Sequence, residues 1–150
     1  MAYSPHLVLK IEGQTLKGVS TQFKDKGTEL LSFALSADLP FDHHQGVAHG
    51  RVSYSPISIT KRMDEDTTLI LTGMSQQKKA SGEITFWRST ETEKEEEYLK
   101  IKFDFGRVTN VSLNPMSDPP TETITFSYRV IEVNWLKPSK PFKEDWMNSK

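Results

Sequence analysis

The sequence contains no cysteine, which excludes disulfide bonds and cysteine-based zinc sites. It also contains no apolar run approaching the about 20 residues that a membrane-spanning helix requires. Neither sign of charge is in clear excess, because 19 basic side chains face 20 acidic ones and the formal net charge is -1. This balance removes the electrostatic argument for a nucleic-acid partner. We therefore expect no stable membrane insertion and no nucleic-acid binding.

The first residues lack the features of a secretory signal peptide. Residues 1–6 contain no basic cluster, and the apolar residues that follow alternate with polar ones instead of forming a continuous apolar segment. The absence of cysteine is compatible with synthesis in the cytoplasm. We expect any export to use a route that does not depend on an N-terminal signal.

The residues that are present are typical of a globular domain. Hydrophobic residues make up 35% and charged residues 26% of the chain, which argues against disorder. A chain of 150 residues most often forms one domain and buries roughly 70% of its unfolded surface. Short alternating segments predict strands that begin near His6, Leu31, Val52, Glu83, Glu97, Arg107 and Thr121, and the strand from Val52 is predicted to continue through residues 57–59. We therefore predict a single, mainly all-β domain.

One segment predicts a helix, from Asp64 to Gln77. Acidic residues stand at its start and lysines follow its end, as the helix dipole favours. Leu69, Ile70 and Met74 can share one face of this helix. Gly73 lowers the helix propensity by about 1 kcal/mol relative to alanine, so the helix can be shorter than the pattern.

Residues 120–135 form the clearest pattern in the chain. Apolar and polar side chains alternate up to Val130, and the apolar residues then continue from Ile131 on the opposite parity. We predict one long strand that is bent by a β-bulge at this point, as barrel strands often are.

This segment resembles the C-terminal strand of the haemolysin-coregulated protein (Hcp) family, the tube subunits of type VI secretion systems. Segments 57–64, 83–88, 97–102 and 108–113 resemble the preceding strands of that family in the same order. The resemblance implies a compact antiparallel β-barrel of two sheets with one short flanking α-helix. It places the core at about residues 6–135 and leaves residues 136–150 as a tail.

The resemblance also implies a structural function. Hcp-type subunits form homohexameric rings that stack into a tube, and a contractile sheath expels this tube from the bacterial cytoplasm toward a target cell. The implied partners are other copies of the chain, the sheath, the spike and effectors that ride in the lumen. No residue is assigned to catalysis, and no cofactor is expected.

The connection between residues 38 and 50 is the candidate site. It is long for a compact domain, and it combines one apolar anchor with a polar rim, which suits a protein contact. By resemblance, it matches the extended loop that reaches from one ring toward the next. The predicted ring-stacking residues are Asp38, Phe41, Asp42, His43 and His44.

Two alternatives remain open at this stage. A small metal-dependent enzyme could use the imidazoles of His43, His44 and His49 together with Asp42, although adjacent histidines on a loop have no fixed geometry. A monomeric ligand-binding barrel would need an apolar cavity in place of a filled core. We favour a solvated loop or a protein contact over a metal site, because short motifs often mislead.

Two short motifs match catalytic signatures by coincidence. Residues 104–106 spell the kinase metal-binding triplet without the other kinase motifs, and we predict a strand end followed by a glycine turn. Ser58 and Lys61 have the spacing of the S-x-x-K motif, but on a strand they would face opposite sides.

Overall fold

The computed structural model describes residues 3–18, 20, 27–48, 50–92 and 94–145 of the chain. No helix in these ranges is long and apolar enough to cross a bilayer. The elements are β1 (His6–Ile11), β2 (Gln14–Thr15), β3 (Thr28–Ala34), β4 (Ala37–Asp38), β5 (Phe41–Asp42), β6 (Val47–Ala48), β7 (Ser53–Tyr54), β8 (Ile57–Arg62), α1 (Thr67–Ser75), β9 (Ala80–Ser89), β10 (Glu95–Asn114), β11 (Thr121–Ser127), β12 (Val130–Leu136) and β13 (Ser139–Asp145).

Six strands close into an antiparallel barrel in the order β1, β9, β10, β11, β8 and β3, with β3 returning to β1. The barrel consists of two sheets that meet along β3 and along β10. Buried and partly buried residues alternate along β8 and β11, so one face of each strand is turned inward. This architecture confirms the predicted mainly all-β barrel of two sheets with one short helix.

Large apolar side chains fill the barrel interior. The side chains that are fully buried at its centre are Ile57, Ile59, Ile84, Ile124 and Phe126. They come from both sheets, and each stabilises the fold by about 2 kcal/mol through its removal from water. The interior therefore holds the two sheets together and leaves little room for a ligand.

The first corner of the barrel lies in β3. The register with β8 shifts between Leu30 and Ser32, so Leu31 is the extra residue of a bulge. Leu30 is fully buried, whereas Leu31 is 46% exposed. The bulge therefore rotates Leu31 outward, whereas Phe33 packs against the core.

The second corner lies in β10 at Asp104–Gly106. The register with β9 shifts between Phe103 and Gly106, and Phe105 adopts a positive φ of 52°. A side chain at Gly106 would overlap the carbonyl oxygens of Ser127 and Ala80. The predicted strand end and glycine turn were wrong, because the strand bends here and continues to Asn114, passing from one sheet into the other.

The predicted long strand at residues 120–135 is two strands. β11 ends at Ser127 and β12 begins at Val130, and they pair with different halves of β10. The parity change therefore marks a corner at Tyr128 and Arg129 where the chain changes sheets. A bulge within one strand was the wrong interpretation, since both effects shift the alternation by one residue.

Beyond this corner, β12 and β13 form a hairpin outside the closed barrel. β12 pairs with the first half of β10, and β13 pairs with β12 from Leu136↔Ser139 to Val130↔Asp145. Much of the region expected to be a tail is thus an added strand of the main sheet. Trp146, which the sequence placed in the tail, lies outside the described residues.

The helix α1 is shorter than the segment from Asp64 to Gln77 that the sequence predicted. It begins at Thr67 after the cap residue Asp66 and ends at Ser75. Ile70 is fully buried and Met74 packs against the core, but Leu69 is exposed, so the predicted three-residue face was partly wrong. Gly73 lets the helix approach β1, because a β-carbon there would lie 3.0 Å from Ile11 Cγ2.

A buried ionic cluster fastens the start of the helix to the barrel. Lys61 faces inward with its side chain 3% exposed, and its Nζ lies 2.6 Å from Glu122 Oε1 and 3.1 Å from Asp64 Oδ2. Thr67 Oγ1 donates a hydrogen bond of 2.8 Å to Glu122 Oε2. The cluster links β8, β11 and α1. Ser58 faces away from Lys61, as the sequence predicted for residues three apart on a strand.

We predict that Lys61→Met lowers the free energy of unfolding by about 3–5 kcal/mol, because it leaves two buried carboxylates without their cation. The matched control is Lys102→Met, whose half-exposed ammonium lies 3.4 Å from Glu83 Oε2 and should contribute less than about 1 kcal/mol. Urea denaturation followed by tryptophan fluorescence measures both. Equal losses for the two variants would contradict a stabilising role for the buried cluster.

Candidate functional site, an exposed hairpin

The predicted loop at residues 38–50 belongs to a hairpin. β4 pairs with β7 at its base, and β5 pairs with β6 near its tip. Both ribbons are two-stranded and are separate from the nine-stranded main sheet. We name residues 37–54 the exposed hairpin. The sequence had indicated a connection without strands, because each ribbon has only two residues per strand.

Asp42 builds the tip of the exposed hairpin. Its Oδ1 accepts hydrogen bonds from the backbone N–H groups of His44 at 2.8 Å and Gln45 at 3.2 Å. Gly46 donates its N–H to the carbonyl oxygen of Asp42 at 2.8 Å and has a φ of 69°, which favours glycine. Asp42 therefore shapes the turn on which the two histidines lie.

Phe41 and His43 form the apolar side of the tip. Their rings meet edge-to-face with centroids 5.2 Å apart, and both side chains are exposed. Such a contact orients Phe41 without burying it. Asp38 is also exposed, at the end of β4. The five predicted residues therefore belong to one hairpin. Four of them are exposed, and the fifth, Asp42, is partly buried.

Large exposed apolar side chains are concentrated on this hairpin. Eleven such side chains occur among the described residues, and four of them, Leu39, Phe41, Val47 and Val52, lie between residues 37 and 54 with exposed fractions of 39–47%. Clustered exposed apolar residues with a polar rim are typical of a protein contact. The composition of the hairpin therefore suits docking against another protein.

The described residues proposed for a metal site do not form a set of metal ligands. Within the described ranges, no three histidine, aspartate or glutamate side chains are grouped closely enough to hold a metal ion. Asp42 Oδ1 already accepts two backbone hydrogen bonds. His49, the third proposed imidazole, lies outside the described residues. The described geometry offers no support for the metal-enzyme alternative.

His6, the first residue of β1, is fully buried. Its Nε2 shares a hydrogen bond with Ser20 Oγ, its Nδ1 lies 2.9 Å from the carbonyl oxygen of Ser4, and its ring contacts Trp87 edge-to-face. Burial lowers the pKa of His6, although the Ser4 carbonyl and the charge of Glu29 oppose this shift. A histidine without exposed surface cannot meet a substrate, so this cluster belongs to the packing of β1.

A surface cleft of about 520 Å³ lies on the outer face of β1, β9, β10, β12 and β13. Cross-strand ion pairs cover part of it: Lys102 with Glu83 at 3.4 Å, and Lys143 with Glu132 at 3.5 Å. The cleft is outside the barrel, whose interior is filled by the core. The described residues therefore lack the apolar interior cavity that a ligand-binding barrel requires.

The fold and the hairpin agree with a comparison of the sequence with protein families. The family described as "Type VI secretion system effector, Hcp" matches residues 8–135. The chain belongs to the Hcp family. This membership confirms the resemblance that the strand motifs indicated, and it supports the function of a structural tube protein of a type VI secretion system.

Solved Hcp structures share the fold at low sequence identity. Hcp1 of E. coli EAEC 042, solved as a variant, is 20% identical, with a TM-score of 0.86 over 97% of this chain and 99% of that one. Hcp3 of Pseudomonas aeruginosa is 15% identical, with a TM-score of 0.76 over 97% and 99%. Hcp1 of Salmonella typhimurium is 18% identical, with a TM-score of 0.70 over 98% of each chain. A comparison with curated proteins gives no significant match.

We predict that protein purified without a histidine tag contains no stoichiometric zinc, nickel or copper. Elemental analysis measures the metal content, and light scattering before and after EDTA treatment measures the assembly, which should not change. The physical reason is that the Asp42 carboxylate already accepts backbone hydrogen bonds in the turn, and that the side chains of His43 and His44 are exposed to solvent. A bound metal that disappears in a His43→Ala, His44→Ala variant would favour the enzyme alternative instead.

Proposed function

We propose that this chain forms homohexameric rings and that these rings stack into the inner tube of a type VI secretion machine. The observation that carries the proposal is the family match over residues 8–135. The closed, filled barrel supports it, because a rigid subunit with a packed interior suits a structural role. Cyclic closure of six subunits would also end the growth of each ring.

The proposal includes the partners and the place of action. The tube would assemble in the bacterial cytoplasm, bind a sheath and a spike, and leave the cell with effectors in its lumen. A structural neighbour from Pseudomonas aeruginosa is described as a secreted protein. The function assigns no residue to catalysis and requires no cofactor.

Within this tube, we assign the exposed hairpin to the contact between rings. Phe41 would anchor the contact, with 47% of its side chain available for burial. Asp42 would hold the tip in shape, and the exposed side chains of Asp38, His43 and His44 would form the polar rim. An apolar anchor with a polar rim is the usual anatomy of a protein interface.

The first prediction from this proposal is the size of the ring. Size-exclusion chromatography with light scattering at micromolar concentration should give six times the subunit mass of 17.1 kDa. The same mass over a tenfold dilution series would show that the ring is stable. A monomer at these concentrations would contradict the tube proposal.

The second prediction concerns the exposed hairpin. Shortening residues 41–46 should leave hexameric rings intact but stop their end-to-end stacking and secretion, because the proposed axial contact is lost while the barrel is unchanged. Phe41→Ser should weaken stacking in the same direction. Electron microscopy of purified rings measures tube length, and light scattering measures ring content.

The matched control for Phe41→Ser is Met116→Ser. Met116 is 92% exposed and lies in the turn after β10, away from the hairpin segment, so its replacement should leave tubes unchanged. Tubes of normal length from the shortened hairpin would show that it is not the axial contact.

A further inference from the structure

The exposed hairpin joins the barrel through a narrow neck, which we define as Ser36 and Ser55. Ser55 donates its backbone N–H to the carbonyl oxygen of Ser36 at 2.8 Å, and Ser36 donates its N–H to Ser55 Oγ at 2.8 Å. These bonds hold the two chain segments of the neck together. They do not fix the direction of the hairpin relative to the barrel, because both partners belong to the neck itself.

A side chain of the barrel reaches this neck. Tyr128 lies at the corner between β11 and β12, where its ring packs against the core. Its Oη donates a hydrogen bond of 2.6 Å to the carbonyl oxygen of Ser55. Burial, reinforced by repulsion between the two phenolate charges if Tyr54 is also ionised, raises the pKa of Tyr128 to about 12, so the hydroxyl keeps its proton at any physiological pH. The neck is thus bonded to a rigid part of the main fold.

The position of this bond matters because the hairpin acts as a lever. Its strands pair with each other and not with the main sheet. Eight residues of extended chain between the neck and the tip span up to about 25 Å at about 3.3 Å per residue. A tilt of about 10° at the neck would therefore move the tip by about 4 Å, which is larger than the gap of about 1 Å between surfaces within which apolar side chains remain in contact.

We propose that Tyr128 is a positioning residue for ring stacking: its hydroxyl, held at the barrel corner, fixes the direction of the exposed hairpin through the Ser55 carbonyl. This inference rests on the proposed function, since it assumes that the hairpin makes the axial contact. Tyr128 touches the neck rather than the neighbouring ring, so its effect on stacking is transmitted through the hairpin.

The test uses Tyr128→Phe, which removes the hydroxyl and keeps the ring that packs against the core. The matched control is Tyr98→Phe, because the ring of Tyr98 also packs against other aromatic rings, those of Phe86 and Trp135, but lies in β10 instead of at the corner between β11 and β12. Four quantities are measured on hexameric rings: ring content, melting temperature, hydrogen–deuterium exchange of peptides covering the neck, and tube length by electron microscopy at equal ring concentration.

We expect Tyr128→Phe to keep wild-type ring content while the neck amides exchange on the order of fivefold faster, the equivalent of one net hydrogen bond. Tubes should be shorter or fewer, and Tyr98→Phe should behave as wild type in all four measurements. If the substitution only destabilised the fold, the melting temperature and the ring yield would fall, and the rings that remained intact would form tubes of normal length.

Two results would overturn the inference. Unchanged exchange at the neck would show that the hydroxyl does not hold it, and faster exchange with normal tubes would show that the direction of the hairpin does not govern stacking. Failure of the proposed function is recognised separately, because it would appear as wild-type rings that never stack or as normal tubes from the shortened hairpin.

Discussion

The continuous hydrogen bonding of β10 is the constraint on which the fold depends. This strand pairs with β9 and β12 along its first half and with β11 along its second. A sheet of this size leaves two edges of unpaired backbone groups unless it closes on itself. The bend at Asp104–Gly106 allows a single strand to serve both sheets, and the tight space at Gly106 explains why a residue without a side chain occupies that position.

Once β10 bends, the positions of the other elements follow. The corner at Tyr128 and Arg129 returns the chain along the first half of β10 after β11 has paired with the second half. Arg129 secures this arrangement, since its backbone N–H donates to the Asp104 carbonyl at 3.1 Å and its Nε donates to Asp145 Oδ1 at 3.1 Å. Arg129 thus links this corner to the bend in β10 and to β13, and the adjacent Tyr128 links the same corner to the base of the exposed hairpin at Ser55.

Sequence patterns predicted the class of fold because alternation reports which face of a strand is buried, and β8 and β11 alternate without interruption. They failed where long-range geometry decides the outcome. Leu31 has the composition of a core residue, yet the bulge at the β3 corner exposes it. Lys61 has the composition of a surface residue, yet its buried partner Glu122 is 61 positions away in sequence. A pattern of neighbouring residues cannot reveal contacts between residues that are so far apart in the sequence.

In the candidate site, too, the sequence predicted the features that depend on neighbouring residues and missed those that depend on distant ones. Phe41 among polar residues identified the segment, and the turn formed by Asp42 is a local interaction that composition can indicate. The base of the hairpin depends on distant partners. Pro56 restricts Ser55 to extended backbone, which is a local effect, but the Tyr128 hydroxyl comes from 73 residues further along the chain. The position of a binding surface at the tip of a two-stranded hairpin depends on how the base of that hairpin is held. Residues that determine the geometry of docking therefore need not lie in the surface that contacts the partner.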